Sequence, residues 1–340
     1  MSTEMRLAGM RITLKSHSKC KICLGIIVVV LFVIIARWSS CIRLYWNDWN
    51  GIERPHFACM PFQGRLANQM FQYAFMYAFS RDKELVIMMS EAKESNILSS
   101  TFEIEFGLNN DYGFGLGKGD CLCFQKYEDD WDCAYDKQFE EIEKRQDSYL
   151  YGYFQSWKYW KHYENEIRSN FHFQEHVKIS AQAVLQNIIQ KSGSSPARGD
   201  ILVGVHIRRG DYVNKAVFTE YGYTTATEQY LHKATQFFRK RYKNPTFIVC
   251  SNDFTWARTA LGKFSDVYFA EGNAPDTDMA LLSSTNHTIM TVGTFGWWSA
   301  FLTNGTTVYY KHPYIEGSPF SKQFHDSTTE HFYPGWIGLE

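Results

Sequence analysis

The pattern of apolar and polar positions divides the chain into three stretches. From residue 201 to residue 310, short continuous apolar runs alternate with amphipathic ones. The runs "ILVGVHI" (201–207), "TFIVCSN" (246–252), "VYFA" (267–270), "HTIMTVG" (287–293) and "TTVYY" (306–310) read as buried strands. Between them, "TEQYLHKATQFFRKRY", "TWARTALGKF", "DTDMALLSS" and "FGWWSAFLT" read as helices. Strands alternating with helices predict a parallel, doubly wound sheet whose ligands lie beyond the carboxyl ends of its strands. An earlier stretch repeats the theme. The turn "GRLANQ" (64–69) leads into "MFQYAFMYAFSR", where Met70, Phe71, Ala74, Tyr77 and Ala78 recur at helical spacing, and "LVIMM" (85–89) follows as a buried strand. Residues 91–192 carry many aromatics and an acidic cluster, "EDDWD", but no clear period. The turn-forming "KSGSSPARGD" then marks a boundary, giving an N-terminal part over 57–195 and a C-terminal part over 196–340.

The third stretch lies at the start. "ICLGIIVVVLFVIIA" (22–36) is uninterrupted by polar residues, with Arg6, Arg11, Lys15, Lys19 and Lys21 before it. A membrane span needs about 20 residues, with about 17 as the lower limit. Trp38, placed at the interface, brings the run to that length. The expectation is a cytosolic tail over 1–21, a single signal-anchor transmembrane helix over 22–38, a stem over 39–56, and the remainder in the lumen. A signal peptide cleaved near Trp38-Ser39-Ser40 is the alternative.

Composition narrows the functional classes. With 45% hydrophobic and 17% aromatic residues the 340-residue chain has ample material for a core. A formal net charge of −1 excludes a broad basic surface for nucleic acid, so any anion site is local. Among the eight cysteines, Cys20 and Cys23 fall at the membrane boundary. Cys41, Cys59, Cys121, Cys123, Cys133 and Cys250 would meet an oxidising lumen, where disulfides form, with 15 pairings open. Asn286-His-Thr288 and Asn304-Gly-Thr306 are glycosylation sequons. Asp130-x-Asp132 and Asp276-x-Asp278 have the form of a divalent-metal motif, but acidic surface loops produce it commonly, and no metal is expected.

The chemistry concentrates in "VGVHIRRGDYV" (203–213). Arg208 and Arg209 follow a predicted strand directly, at the ligand-facing edge, where a guanidinium can bind a diphosphate through two hydrogen bonds. The competing structural role is an ion pair with Asp211. Arg209-Gly210-Asp211 is also the adhesion tripeptide, which would need an exposed, projecting loop. His206 ends the same strand, as a ligand contact or a satisfied core imidazole. "VGTFGWW" (292–298) places Thr294 and Phe295 where a helix begins after another strand, an anion-binding arrangement. Arg65 and Asn68 flank a helix start in the other half.

Together, "GRLANQMFQYA", "VGVHIRRGDYV", "FIVCSND" and "DMALLSSTNHTIMTVGTFGWWSAFLTNG" resemble the α1,2-fucosyltransferases over most of residues 57–340, and more thinly over 91–192. The resemblance implies an α/β fold of GT-B type, with two Rossmann-type domains facing a donor cleft, in a type II Golgi membrane enzyme. It implies inverting transfer of L-fucose from GDP-β-L-fucose to the 2-hydroxyl of a terminal galactose on a glycan, with no metal or other cofactor. Arg208 would bind the donor diphosphate, supported by Arg209. His206 and Asp278 would lie near the guanine, Thr294 and Phe295 would wrap the phosphates, and Arg65 and Asn68 would close from the opposite domain. Ala67 departs from the glycine usual there, and its Cβ would narrow the approach of backbone to ligand. Asp211 is the nearest candidate for the catalytic base. The alternatives are another luminal GDP-fucose-using transferase, such as a protein O-fucosyltransferase, and a secreted adhesion or carbohydrate-binding protein. Acceptor identity stays open, as does the oligomeric state.

Overall fold

Two all-parallel sheets dominate the computed structural model, which describes residues 53–89, 96–104, 120–195, 199–324 and 330–340, with Trp49 and Gly51. Both belong to the compact unit Pro55–Glu340. The expected anchor at 22–38, and Cys20, Cys23 and Cys41, lie outside the described residues. Among those residues, no helix is long and apolar enough to cross a membrane.

The first sheet has the order β2-β1-β4-β3, from β1 (Phe57–Met60), β2 (Val86–Met89), β3 (Gln125–Glu128) and β4 (Ser148–Tyr151). The second has the order β10-β9-β8-β5-β6-β7, from β5 (Leu202–Ile207), β6 (Thr246–Ser251), β7 (Val267–Phe269), β8 (His287–Met290), β9 (Thr307–Tyr310) and β10 (Ile337–Leu339). Every pairing is parallel, with Leu202 opposite Thr246 and Val203 opposite His287 on the two sides of β5. A strand in the middle of a parallel sheet is covered on both faces, so it reads as a continuous apolar run. All six residues of β5 are buried.

Period-two alternation sorts the β5 side chains. Val203, Val205 and Ile207 join the core formed with Tyr230, Leu231, Ala234 and Phe238 of the helix Glu228–Arg241. His206 therefore faces the opposite side, with its register partner Cys250. Cys250 packs there with Ala280, Leu281 and Leu282 of the helix Pro275–Ser283. Val177, Ala181 and Ile188 of the helix Glu175–Ser192 belong to that same cluster. This long helix precedes the boundary expected at 195 but packs on the second sheet.

Both sheets reverse their strand order. In the second sheet the switch falls between β5 and β8; in the first it falls between β1 and β4. Ligand crevices in doubly wound sheets open at such points. The loops that matter are thus those following β5, β8, β1 and β4. Connecting the sheets is the helix Thr294–Thr303, whose Trp297, Trp298 and Phe301 share one core with Phe71 of the helix Leu66–Lys83 and with Trp160.

Cys59 in β1 and Cys121 are joined by a disulfide, and Cys123 is also disulfide-bonded. Cys133 and Cys250 are free and buried.

Candidate active site

The loops after β5 and β8 are tied together at the switch point. The Arg208 amide donates to Thr291 Oγ1 at 2.9 Å. The Arg208 side chain is held from one side only: Nη2 donates to Asp211 Oδ2 at 2.5 Å, and the guanidinium lies 5.2 Å from the centre of the Tyr212 ring. Its Nε is buried and has no partner among the described residues. A buried guanidinium N–H without an acceptor is costly unless a ligand supplies one.

Asp211 is the residue that sets this geometry. Its Oδ1 accepts from Asn252 Nδ2 at 3.0 Å, while Oδ2 faces both Arg208 and, at 3.8 Å, Nη2 of Arg65. Both oxygens are engaged, so Asp211 is the holder of Arg208 and not the free carboxylate that a base requires. Arg209 turns elsewhere. It donates to Thr225 Oγ1 at 3.1 Å, lies 3.6 Å from Asp253 Oδ2 and stacks 4.6 Å from the Trp256 ring. It braces the loop, and the two arginines are not an equivalent pair.

The adhesion tripeptide is not displayed. Gly210 is buried in the short helix Gly210–Asn214, and a Cβ on it would meet the Asn252 carbonyl oxygen at 2.6 Å. The Arg209 and Gly210 amides both donate to Asn252 Oδ1, at 2.8 and 3.1 Å. A segment clamped this way is no projecting loop, and this contradicts the adhesion alternative.

Next to this segment, after β8, stands the N-terminus of the helix Thr294–Thr303. Its N-cap, Gly293, has φ 88° and ψ 161°, a conformation left to glycine. Thr294 does not cap its own helix. Its hydroxyl donates to Asn68 Oδ1 at 2.7 Å, joining residues 226 positions apart. The first-turn N–H groups, which have no partners within the helix, remain to face an anion. Phe295 stacks on the His206 ring with centroids 4.9 Å apart.

His206 is buried with an unpartnered Nδ1. Burial and the nearby Arg208 push its pKa down to about 3, so the imidazole is neutral. Asp278, on the helix Pro275–Ser283, accepts from Asn273 Nδ2 at 3.0 Å and from the thiol of Cys250, the register neighbour of His206. Burial raises its pKa to about 6, against the lowering effect of those two hydrogen bonds. The structure thus brings His206, Cys250, Asp278 and Phe295 to one face of the second sheet.

From the first sheet come Arg65 and Asn68. Arg65 is the exposed N-cap of the helix Leu66–Lys83, which has no acidic residue in its first turn. A cation at a helix N-terminus opposes the macrodipole, and a bound anion relieves both. Asn68 Oδ1 also receives Gln155 Nε2 at 3.5 Å, from the loop after β4. The two switch points therefore meet at Asn68. Ala67 is only 3% exposed and belongs to the shared core, so its Cβ does not narrow the crevice as the sequence suggested.

The sequons differ in setting. Asn286 is exposed, but its Oδ1 caps the Leu202 amide at 2.8 Å and its partner Thr288 is fully buried in β8. Asn304 is exposed, at the left-handed C-cap of the helix Thr294–Thr303. Sequence reasoning missed Tyr212, Asn252 and Thr291, which hold the arginines. Asn252 at the end of a strand run was the available signal. Among the described residues, no group of three or more His, Cys, Asp or Glu side chains could hold a metal ion.

Comparison with known proteins gives the family. Residues 57–340 match the model of glycosyl transferase family 11. The chain is 37% identical over 286 residues to galactoside alpha-(1,2)-fucosyltransferase 2 of Mus musculus, covering 81% of this chain and 76% of that one. Galactoside 2-alpha-L-fucosyltransferase Sec1 of the same species is 35% identical over 284 residues, 82% of this chain and 72% of that protein. In fold, a mutant of Arabidopsis thaliana FUT1 solved in complex with GDP superposes with a TM-score of 0.50 at 11% identity, over 86% of this chain and 76% of that one. The chain belongs to glycosyl transferase family 11.

Proposed function

We propose that this enzyme transfers L-fucose from GDP-β-L-fucose to the 2-hydroxyl of a terminal galactose, forming an α1,2 linkage. Its named relatives are α1,2-fucosyltransferases. The observation that carries the reading is Arg208: a positioned guanidinium whose Nε has no partner among the described residues, at the switch point and beside a helix N-terminus.

The chemistry is a single displacement. The bond from fucose C1 to the diphosphate oxygen breaks, its electron pair leaves with GDP, and the galactose O2 bonds to C1 from the opposite face. The acceptor proton is lost to a base. Charge grows on the β-phosphate as the bond breaks, and preorganised donors aimed there stabilise it most. Arg208 and the first-turn N–H groups of the helix Thr294–Thr303 are those donors, with Arg65 closing from the first sheet. Guanine takes the face of His206 and Asp278. A neutral imidazole and a carboxylate complement the purine's mixed donor and acceptor edge. No metal is required in this scheme, because cationic side chains and a helix dipole meet the developing charge.

The same reading makes the chain a type II Golgi protein anchored by residues 22–38, with the catalytic unit in the lumen. The basic leader supports that orientation, and the Cys59–Cys121 disulfide supports an oxidising compartment. Asn304 is then the better-placed glycan acceptor of the two.

Calorimetric titration of the full-length protein with GDP-fucose in EDTA tests the donor assignment. Wild type is expected to bind, and Arg208→Ala to lose at least about 100-fold in affinity. A folded wild type that binds no GDP-fucose, or an Arg208→Ala variant that binds as well, sinks the clamp.

A further inference from the structure

Asp132 stands out once the other carboxylates around the crevice are followed to their partners. Asp129 gives its oxygens to the amides of Phe154 at 2.9 Å and Trp131 at 3.3 Å. Asp211 holds Arg208 and Asn252. Asp278 holds Asn273. Glu330 takes Lys158 Nζ at 2.7 Å and the Tyr135 amide at 3.0 Å. Asp132 is half-buried and anchored through its backbone: its amide donates to Gln323 Oε1 at 3.1 Å, and its carbonyl accepts from the Gln155 amide at 2.9 Å. Among the described residues, its carboxylate accepts no hydrogen bond.

Two independent lines place Asp132 at the crevice. Gln155, which holds the Asp132 carbonyl, reaches Asn68 and through it Thr294 at the donor helix. On the other side, the next residue, Cys133, is buried in a cluster with Phe320 and Phe324 against which Tyr221 and Tyr223 pack. Tyr223 lies 4.7 Å from Tyr212, and Tyr212 stands beside Arg208. Asp132 thus belongs to the loop after β3, on the first sheet, next in sequence to the cluster that holds the tyrosines flanking the clamp on the second. Burial raises its pKa, which marks partial removal from water.

We propose that Asp132 is an acceptor-binding residue whose carboxylate takes hydrogen bonds from ring hydroxyls of the galactose, beside Tyr221. This deepens the fucosyltransferase reading and rests on it. A carboxylate has acceptor capacity for two adjacent hydroxyls at once, and Tyr221, a half-buried ring packed on the cluster of the adjoining Cys133, can offer the sugar an apolar surface. Partial desolvation makes such bonds count for more than they would at an open surface.

The test is steady-state kinetics of the full-length enzyme with GDP-fucose and a β-galactoside, run on wild type, Asp132→Ala and Asp132→Asn. The galactoside is supplied intact and as its 3-, 4- and 6-deoxy forms. Asp132→Ala is expected to raise the acceptor KM about 10- to 100-fold, the size of a lost hydrogen bond to a charged group, with the donor KM changed less than about twofold. Asp132→Asn should raise it less, because one acceptor oxygen remains. At least one deoxy form should lose a comparable factor on wild type and little more on Asp132→Ala. Losses that multiply independently for all three forms overturn the proposal. So does a collapse of kcat at unchanged acceptor KM, or an equal rise in donor KM. If neither variant folds, the proposal stands or falls on the wild-type series, since equal use of all three deoxy forms contradicts it. A wild type that transfers no fucose to any galactoside contradicts the fucosyltransferase reading, whereas normal transfer with unaffected variants contradicts only the role of Asp132.

Discussion

At the residue scale, electrostatics assigns different duties to neighbours. His206 has its pKa held near 3 by burial and Arg208, so its charge does not change across the working range. Asp278 is pushed up to about 6, so its charge does. In the folded protein Asp278 keeps its proton in a window where the unfolded chain, near 3.8, has lost it. Its contribution to stability is therefore full below pH 4 and is lost as pH rises to about 6. Donor binding should run the other way. A carboxylate accepting from the guanine edge must be ionised, so GDP-fucose affinity is expected to fall about tenfold per pH unit below pH 6. Asp278→Asn should bind weakly at every pH, without that slope. Calorimetry between pH 5 and 8 reads both, and a flat wild-type profile contradicts the guanine contact. The arginines were visible in the sequence because they follow a strand immediately. Which of them is free was not, because Asp253, Thr225 and Trp256, which take up Arg209, come from elsewhere in the chain.

At the element scale, what was legible depended on burial. The strands β5 to β9 of the second sheet lie between covered faces, so their runs are continuous and they were found to within a few residues. The edge strand β3, "QKYE", is largely exposed and carries no apolar pattern. β10 has three residues and follows a long connection. The helix Glu175–Ser192 has only Val177, Ala181 and Ile188 fully buried, a sparse stripe in a polar segment. The helix Thr294–Thr303 was found, but not that the Thr294 hydroxyl bonds the Asn68 side chain, since hydrogen-bonding partners so far apart leave no local trace. Its N-cap makes a sharp prediction. At Gly293 an added Cβ would lie 3.4 Å from the Tyr212 hydroxyl, and φ of 88° strains any side chain. Gly293→Ala is expected to cost about 1–3 kcal/mol of stability and to weaken GDP-fucose binding with it. Asn68→Ala should leave stability nearly unchanged while weakening donor binding, because it releases Thr294 without disturbing the core. Urea melts and titrations separate the two, and an Asn68→Ala variant with wild-type donor affinity contradicts the role of that contact.

At the scale of the whole molecule, the two sheets share one core and cannot behave as separate domains. Trp297, Trp298 and Phe301 come from the second half; Phe71, Trp160 and Phe171 come from the first. Trp298 is fully buried, 5.0 Å from Phe71 and 5.6 Å from Trp160. Trp298→Ala is expected to remove about 3–5 kcal/mol, and wild type and variant alike should unfold in a single transition reported equally by both halves. Two resolved transitions would contradict a continuous core. The same continuity fixes the crevice: the second sheet brings Arg208 and the donor helix, and the first brings Asn68 and Asp132. The claim on which the rest depends is fucosyl transfer within that crevice, and nuclear magnetic resonance of the product tests it most directly. Incubating the full-length enzyme with GDP-β-L-fucose and a β-galactoside should yield one fucosylated product, with an α-configured fucose on O2 of the galactose. A β-linked fucose, attachment at another hydroxyl, or no transfer by an enzyme that binds GDP-fucose would contradict it.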